Sequence, residues 1–230
     1  MREIISLNEN WTLSFPKGER PTEQVTLPHT WNAIDGQDGG NDYYRGTCSY
    51  TTVLPDISLP ENGRAVLQFD AVAMTAEVYL NEQKLAEHKG GYSAFCVDIT
   101  DALRNGSNLL RVTVDNSDND TVYPQKADFT FYGGIYREVW LECVNEVYIA
   151  DTFIRTKDLL LGKKKLLDID VTFSEKTQGD LKLALYDGEK LIASRACPFE
   201  AKVLNLKWRV SGVTLWSTEH PKLYTLKVVY

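Results

Sequence analysis

The sequence predicts an all-β protein made of two β-sandwiches. Three observations carry that expectation. Apolar and polar residues alternate with period two in stretch after stretch. No segment of about 12 residues carries a helical apolar stripe. Turn dipeptides, Asn62-Gly63, Asn105-Gly106 and Asp187-Gly188, punctuate the alternating stretches.

The elements follow in chain order. Val78 and Leu80 share one face of a strand that runs into a hairpin turn at Asn81-Glu82. Asp98 to Leu103 is the best helical segment, a single turn stopped by Asn105-Gly106. Leu110, Val112 and Val114 alternate with Arg111, Thr113 and Asp115. Further on, Leu167, Ile169, Val171 and Phe173 form one inward row, Leu181, Leu183 and Leu185 a second, and Leu204, Leu206, Trp208 and Val210 a third. Each is a half-buried strand, apolar in and polar out. Trp216, Pro221 and Tyr224 read as a core corner before the last strand. A boundary falls near Asn145-Glu146, because long Gly-rich and aromatic loops precede it and short loops follow. The expected division is residues 1–145 and 146–230. The second part suits a seven-strand immunoglobulin-like sandwich and looks short for a complete one.

Composition narrows the function. A chain of 230 residues makes one to two domains and can bury a core without metal or disulfide staples. The net charge is −7, and the only basic run is Lys163-Lys164-Lys165, so nucleic acid and anionic membranes are disfavoured as partners. The first residues carry no apolar signal segment, which makes a cytoplasmic location the expectation. Cys48, Cys96, Cys143 and Cys197 are widely spaced and read as reduced, mostly buried small hydrophobes. Glycosylation sequons stand at Asn10, Asn105 and Asn119.

No nucleotide-binding glycine loop, nucleophile elbow or zinc signature is present, and His29, His88 and His220 are too scattered for a metal cluster. Gly39-Gly40, Gly90-Gly91 and Gly133-Gly134 read as turn or close-packing positions. Glu residues follow Asn at Asn8, Asn81 and Asn145, yet nothing pairs two carboxylates as glycosyl transfer requires. The segment Asp115 to Gly134 is more informative, since a long irregular stretch inside a domain is usually functional. Its Asp, Asn, Gln and Tyr residues with interleaved aromatics suit sugar hydroxyls and sugar C–H faces. A solvated linker and a calcium loop are the competing readings of the same residues, the latter without a bidentate Glu at the required spacing.

Seven stretches, in order, resemble glycoside hydrolase family 2. They are Leu7 to Leu13, Leu27-Pro28-His29-Thr30-Trp31-Asn32, Tyr43 to Tyr50, Phe69 to Asn81, Gly90 to Thr100, Gly133-Gly134-Ile135-Tyr136-Arg137-Glu138-Val139-Trp140-Leu141, and Leu215 to Leu226. The resemblance implies a jelly-roll sugar-binding domain, then an immunoglobulin-like domain, then a TIM barrel with two catalytic glutamates. On that layout this chain ends late in the immunoglobulin-like domain and the barrel lies outside it. No catalytic residue and no cofactor is therefore assigned within these residues.

One family role carries over by position. An Asp shortly before the Gly-Ile-Tyr-Arg strand reaches the barrel mouth and hydrogen-bonds the sugar, and in some members lies near a sodium ion. Asp128 occupies that place, with Asn41 and Asp42 as further substrate-binding candidates. The resemblance thus implies the non-catalytic part of an exo-β-glycosidase, with a β-linked galactoside as ligand, the barrel as partner, and homo-oligomers as an option. A β-glucuronidase of the same family and a free-standing carbohydrate-binding or adhesion sandwich are the alternatives. Thr47-Cys48-Ser49-Tyr50 departs from the family's more usual Gly/aromatic pattern.

Overall fold

The structure is a computed structural model that describes residues 2–16, 20–35, 44–123 and 130–230. The chain divides into two compact units, Met1–Glu146 and Val147–Tyr230.

The first unit holds β1 (Arg2–Ser6), β2 (Trp11–Ser14), β3 (Glu23–Val25), β4 (Thr47–Val53), β5 (Arg64–Phe69), β6 (Thr75–Leu80), β7 (Gln83–Lys89), β8 (Phe95–Asp98), β9 (Leu109–Asp115) and β10 (Val139–Val144). Two antiparallel sheets form, in the orders β1-β10-β5-β8 and β3-β2-β4-β9-β6-β7. Alternation dictates which residues meet. Trp11 and Leu13, Tyr50, Val78 and Leu80, and Leu110, Val112 and Val114 are fully buried on the larger sheet. Leu67, Phe69 and Leu141 are buried on the smaller one, and all belong to one core cluster. Two sheets sharing an apolar interior make a sandwich, here of the jelly-roll type.

The turns obey local chemistry. Asn81 and Glu82 both take positive φ (50° and 69°), the geometry of a two-residue hairpin that continues the twist of its strands. A 3-10 turn spans Thr100–Ala102, shorter than the Asp98–Leu103 turn expected. Asp98 Oδ1 starts it by accepting from Thr100 N at 2.9 Å and Thr100 Oγ1 at 2.6 Å.

The second unit is built from β11 (Ile149–Lys157), β12 (Lys165–Asp187), β13 (Lys190–Val210) and β14 (Thr225–Val229). The two rows expected at 167–173 and 181–185 are one long strand. Its pairing with β13 shifts register between Thr172 and Thr177, which divides the hairpin into two halves. β11 pairs with the first half and β14 with the second. Ile169, Val171 and Phe173 from one half and Leu181, Leu183 and Leu185 from the other pack in one cluster with Phe199, Leu206, Trp208 and Val210. Four strands thus do the work expected of seven, because two of them serve both layers of an immunoglobulin-like sandwich.

Two expectations are corrected. Cys48 and Cys143 are buried, but Cys96 is exposed and Cys197 half-buried, since Cys96 falls on the outward position of a four-residue strand. Trp216 is 58% exposed and not core: it lies midway along the irregular segment between β13 and β14, where its neighbours are polar or half-exposed.

Candidate functional site

Asn41, Asp42 and Asp128 lie outside the described residues. What the structure does describe are the segments that lead into and out of them: 27–35, 44–46, 115–123 and 130–136.

These segments meet on two asparagines, Asn32 and Asn116, each with no solvent exposure. Asn32 Nδ2 donates to Asp35 Oδ2 at 2.6 Å and to Tyr44 O at 2.8 Å, while its Oδ1 accepts Gly133 N at 2.8 Å. Asn116 Nδ2 donates to Phe131 O at 2.8 Å and to Asn32 Oδ1 at 3.2 Å, and its Oδ1 accepts Gly46 N at 2.9 Å. Asp35 Oδ2 also accepts Tyr44 N at 2.9 Å. Buried amides fully matched in this way hold backbone in one arrangement, because leaving any partner unpaired costs about 1–3 kcal/mol.

Packing reinforces the clasp. Thr30 Oγ1 donates to Gly133 O at 2.8 Å. Arg45 donates from Nε to Asn116 O at 2.8 Å, pairs with Asp118 at 2.6 Å, and stacks 4.8 Å above the Phe131 ring. His29 Nδ1 and the Tyr50 hydroxyl share a hydrogen bond of 2.8 Å. Burial lowers the pKa of His29 against a weaker opposing pull from Glu23, so the imidazole is held neutral. Burial likewise holds the Tyr50 hydroxyl well above its usual range.

Much of the Asp and Asn content of the 115–123 segment is spent on local turns. Asp115 accepts from Ser117 N at 2.6 Å and from the hydroxyls of Ser117 and Thr47. Burial raises the Asp115 pKa, and these hydrogen bonds outweigh it, leaving the carboxyl below its ordinary value. Asn119 Oδ1 accepts Thr121 N at 3.0 Å and Val122 N at 2.8 Å. These two residues read as ligand-seeking in sequence and act as turn formers in the fold.

Beside the clasp lies a cleft of about 350 Å³ lined by Thr30, Met74, Tyr92, Val122, Tyr123, Phe131, Tyr132 and Tyr136 among others. Tyr92, Tyr123 and Tyr132 are 64%, 80% and 47% exposed. The Tyr136 hydroxyl donates to Gly91 O, fixing that ring against the glycine pair. No Asp or Glu lines the cleft among the described residues. An aromatic wall with hydroxyl tips can take a sugar C–H face or an apolar group, and supplies no acid–base pair. Two of the three carboxylates weighed from sequence are engaged elsewhere: Glu82 pairs with Arg111 at 3.2 Å, and Glu9 accepts from Thr26 at 3.0 Å. Among the described residues no group of three or more His, Cys, Asp and Glu could hold a metal. No described helix is long and apolar enough to cross a membrane.

Sequence reasoning missed Asn32 and Asn116. Asn32 was visible as the end of the His29-Thr30-Trp31-Asn32 stretch and Asn116 as the first residue after a strand, but their pairing spans 84 positions. Nothing local announces it.

A jelly-roll sandwich with loops gathered beside an aromatic cleft, followed in sequence by an immunoglobulin-like sandwich, defines a class of accessory domains in carbohydrate-active proteins. The family described as "Glycosyl hydrolases family 2, sugar binding domain" matches residues 4–144, and "Glycosyl hydrolases family 2" matches residues 147–230. The chain belongs to glycosyl hydrolase family 2. Among its relatives, a beta-glucuronidase of Bacteroides fragilis is 40% identical over 151 residues, covering 65% of this chain and 22% of the relative. A beta-galactosidase of Thermoanaerobacter pseudethanolicus is 26% identical over 245 residues, covering 99% of this chain and 33% of the relative. The crystal structure of an FMN-binding beta-glucuronidase from Facaelibacterium prausnitzii L2-6 superimposes with a TM-score of 0.90 at 37% identity, over 99% of this chain and 36% of that one. The chain spans about a third or less of the length of these relatives.

Proposed function

We propose that the two sandwiches are the N-terminal, non-catalytic part of an exo-β-glycosidase, and that the first sandwich helps shape its sugar site. The observation that carries this reading is the order of the two family matches, which together run from residue 4 to residue 230. The catalytic carboxylates then belong to a barrel on the same polypeptide. The saccharide is a β-galactoside or a β-glucuronide, and both activities occur in the names of the relatives. The glucuronide is favoured by the higher identities, 40% and 37% against 26–30% for the beta-galactosidases.

In this reading Asp128 accepts sugar hydroxyls as an ionised carboxylate, and Asn41 and Asp42 are further candidates for sugar contact. Charge-assisted hydrogen bonds of that kind contribute about 1.5–3 kcal/mol. The test is Asp128→Asn in the full protein that contains this chain. The expected loss is about 10- to 150-fold in kcat/KM with an unchanged Tm. Wild-type kcat/KM, or a loss that only follows a fallen Tm, assigns Asp128 to its own loop and removes it from the sugar site.

A further inference from the structure

We infer that Asn105-Gly106 is a site of spontaneous covalent modification, at which Asn105 converts to aspartate and isoaspartate. The sequence holds two Asn-Gly pairs, Asn62-Gly63 and Asn105-Gly106, and the dipeptide alone does not separate them. Their surroundings do. The reaction needs the backbone nitrogen after the asparagine to be free to approach the side-chain amide. Gly63 N is not free. Gly63 is buried, its N donates to Pro60 O at 2.8 Å, and a Cβ built on it would stand 2.5 Å from Pro60 Cδ. Asn105 and Gly106 are both exposed. Gly106 takes a φ of 85°, and nothing lies within 4 Å of a Cβ built on it. Among the described residues neither Gly106 N nor the Asn105 side-chain amide makes a hydrogen bond. Gly106 N gives up its proton to solvent base and attacks Asn105 Cγ. The N–Cγ bond forms, the Cγ–Nδ2 bond breaks, and Nδ2 leaves as ammonia. Water then opens the cyclic succinimide at either carbonyl, giving aspartate or isoaspartate, and no oxidant, reductant or cofactor is consumed.

The neighbouring Asn108 gives the change a structural consequence. Asn108 is buried, and its Nδ2 donates to Arg104 O at 3.0 Å and to Gly106 O at 2.9 Å. Its Oδ1 accepts Arg104 N at 2.9 Å and Asn81 Nδ2 at 2.8 Å, which ties the turn to the hairpin of β6 and β7. Isoaspartate inserts a methylene into the main chain between the two carbonyls that Asn108 holds at once, and adds a negative charge. Aspartate adds the charge alone. The isoaspartyl form therefore releases part of the Asn108 clamp, leaving buried polar groups to find new partners.

The test is peptide mapping by mass spectrometry on the 230-residue chain, aged in warm, mildly alkaline buffer, folded and in guanidinium chloride. In the folded chain Asn105 should convert at least roughly tenfold faster than Asn62, whose glycine must first break a buried hydrogen bond. In guanidinium chloride the two rates should converge. Equal rates in the folded chain, or the same ratio in denaturant, would overturn the inference. Isoaspartate is read on the Asn105 peptide as an acceptor of methyl groups from S-adenosylmethionine, transferred by an isoaspartyl methyltransferase. A product that is aspartate alone contradicts the succinimide route. Hydrogen exchange reads the clamp: Arg104 N should exchange at least roughly threefold faster in the isoaspartyl chain than in Asn105→Asp, with Val112 N unchanged in both. Equal exchange at Arg104 N in the two proteins would overturn the release of the clamp.

Discussion

Gly133 lies flat against Trp31: a Cβ built on it would stand 2.1 Å from Trp31 Cζ2 and 2.8 Å from the Asn116 side chain. The contact explains why a residue without a side chain stands between Phe131 and Ile135. Gly133→Ala is expected to destabilise the first unit by about 3 kcal/mol, the upper end for overpacking, because an indole ring and a bonded amide both resist displacement. Its melting transition should fall by about 6–12 °C. A Tm within 2 °C of wild type, by calorimetry, would mean that Trp31 has room to move (roughly 1 kcal/mol or less).

The half-buried imidazole of His29 makes the first unit acid-sensitive near neutrality. Its folded pKa is lowered by burial, so the unfolded chain binds a proton first, at about 6.5. The stabilising term is complete above that value and is lost as pH falls from it toward the lower folded value. The urea midpoint of the first unit, followed by NMR, should drop over this window. His29→Gln, which cannot titrate, should flatten the dependence. Equal slopes in the two proteins would assign the loss to other groups.

The second unit has a lower acid window. Asp168 accepts from Lys157 Nζ at 2.7 Å, Asn205 Nδ2 at 2.8 Å and Arg155 Nη2 at 3.2 Å. These partners, Lys157 foremost, hold its carboxyl well below the usual carboxylate range. A depressed folded pKa gives a contribution that is complete above the unfolded value of about 3.9 and lost as pH falls below it. Denaturation of wild type and Asp168→Asn should therefore differ most near neutral pH and converge in strong acid. A difference that stays constant down to acid would contradict the assignment.

The hairpin at Asn81-Glu82 carries a correctable strain. Glu82 has φ of 69°, where a side chain is disfavoured and glycine is at ease. Glu82→Gly also loses an exposed pair with Arg111, a contact of small worth. The balance should be a gain of about 0.5–1 kcal/mol in urea denaturation. A loss of stability would show that the ion pair outweighs the backbone relief.

The strands were legible because burial alternates with the sequence: Val78 and Leu80, or Ile169 and Val171, declare their face two residues at a time. The hairpin turns were legible because Asn and Gly tolerate positive φ. The merging of 167–173 with 181–185 was not, since a register shift depends on the partner strand and leaves no local mark. Nor was the Asn32–Asn116 clasp, whose residues look like ordinary loop asparagines until tertiary folding buries them. Within the polar 115–123 segment, Asp115 and Asn119 accept from the backbone of their own loop, a local role that composition does not separate from ligand contact. Asp128, Asn41 and Asp42 fall outside the described residues and stand on the family resemblance.

The most direct test of the account is turnover of nitrophenyl β-D-glucuronide and nitrophenyl β-D-galactoside, measured in parallel on the purified 230-residue chain and on the full protein that contains it. The full protein should hydrolyse one of the two glycosides, and the 230-residue chain neither, because acid/base and nucleophile must both stand at the scissile bond. Turnover by the 230-residue chain above a contaminant control, or none by the full protein on either glycoside, would contradict it.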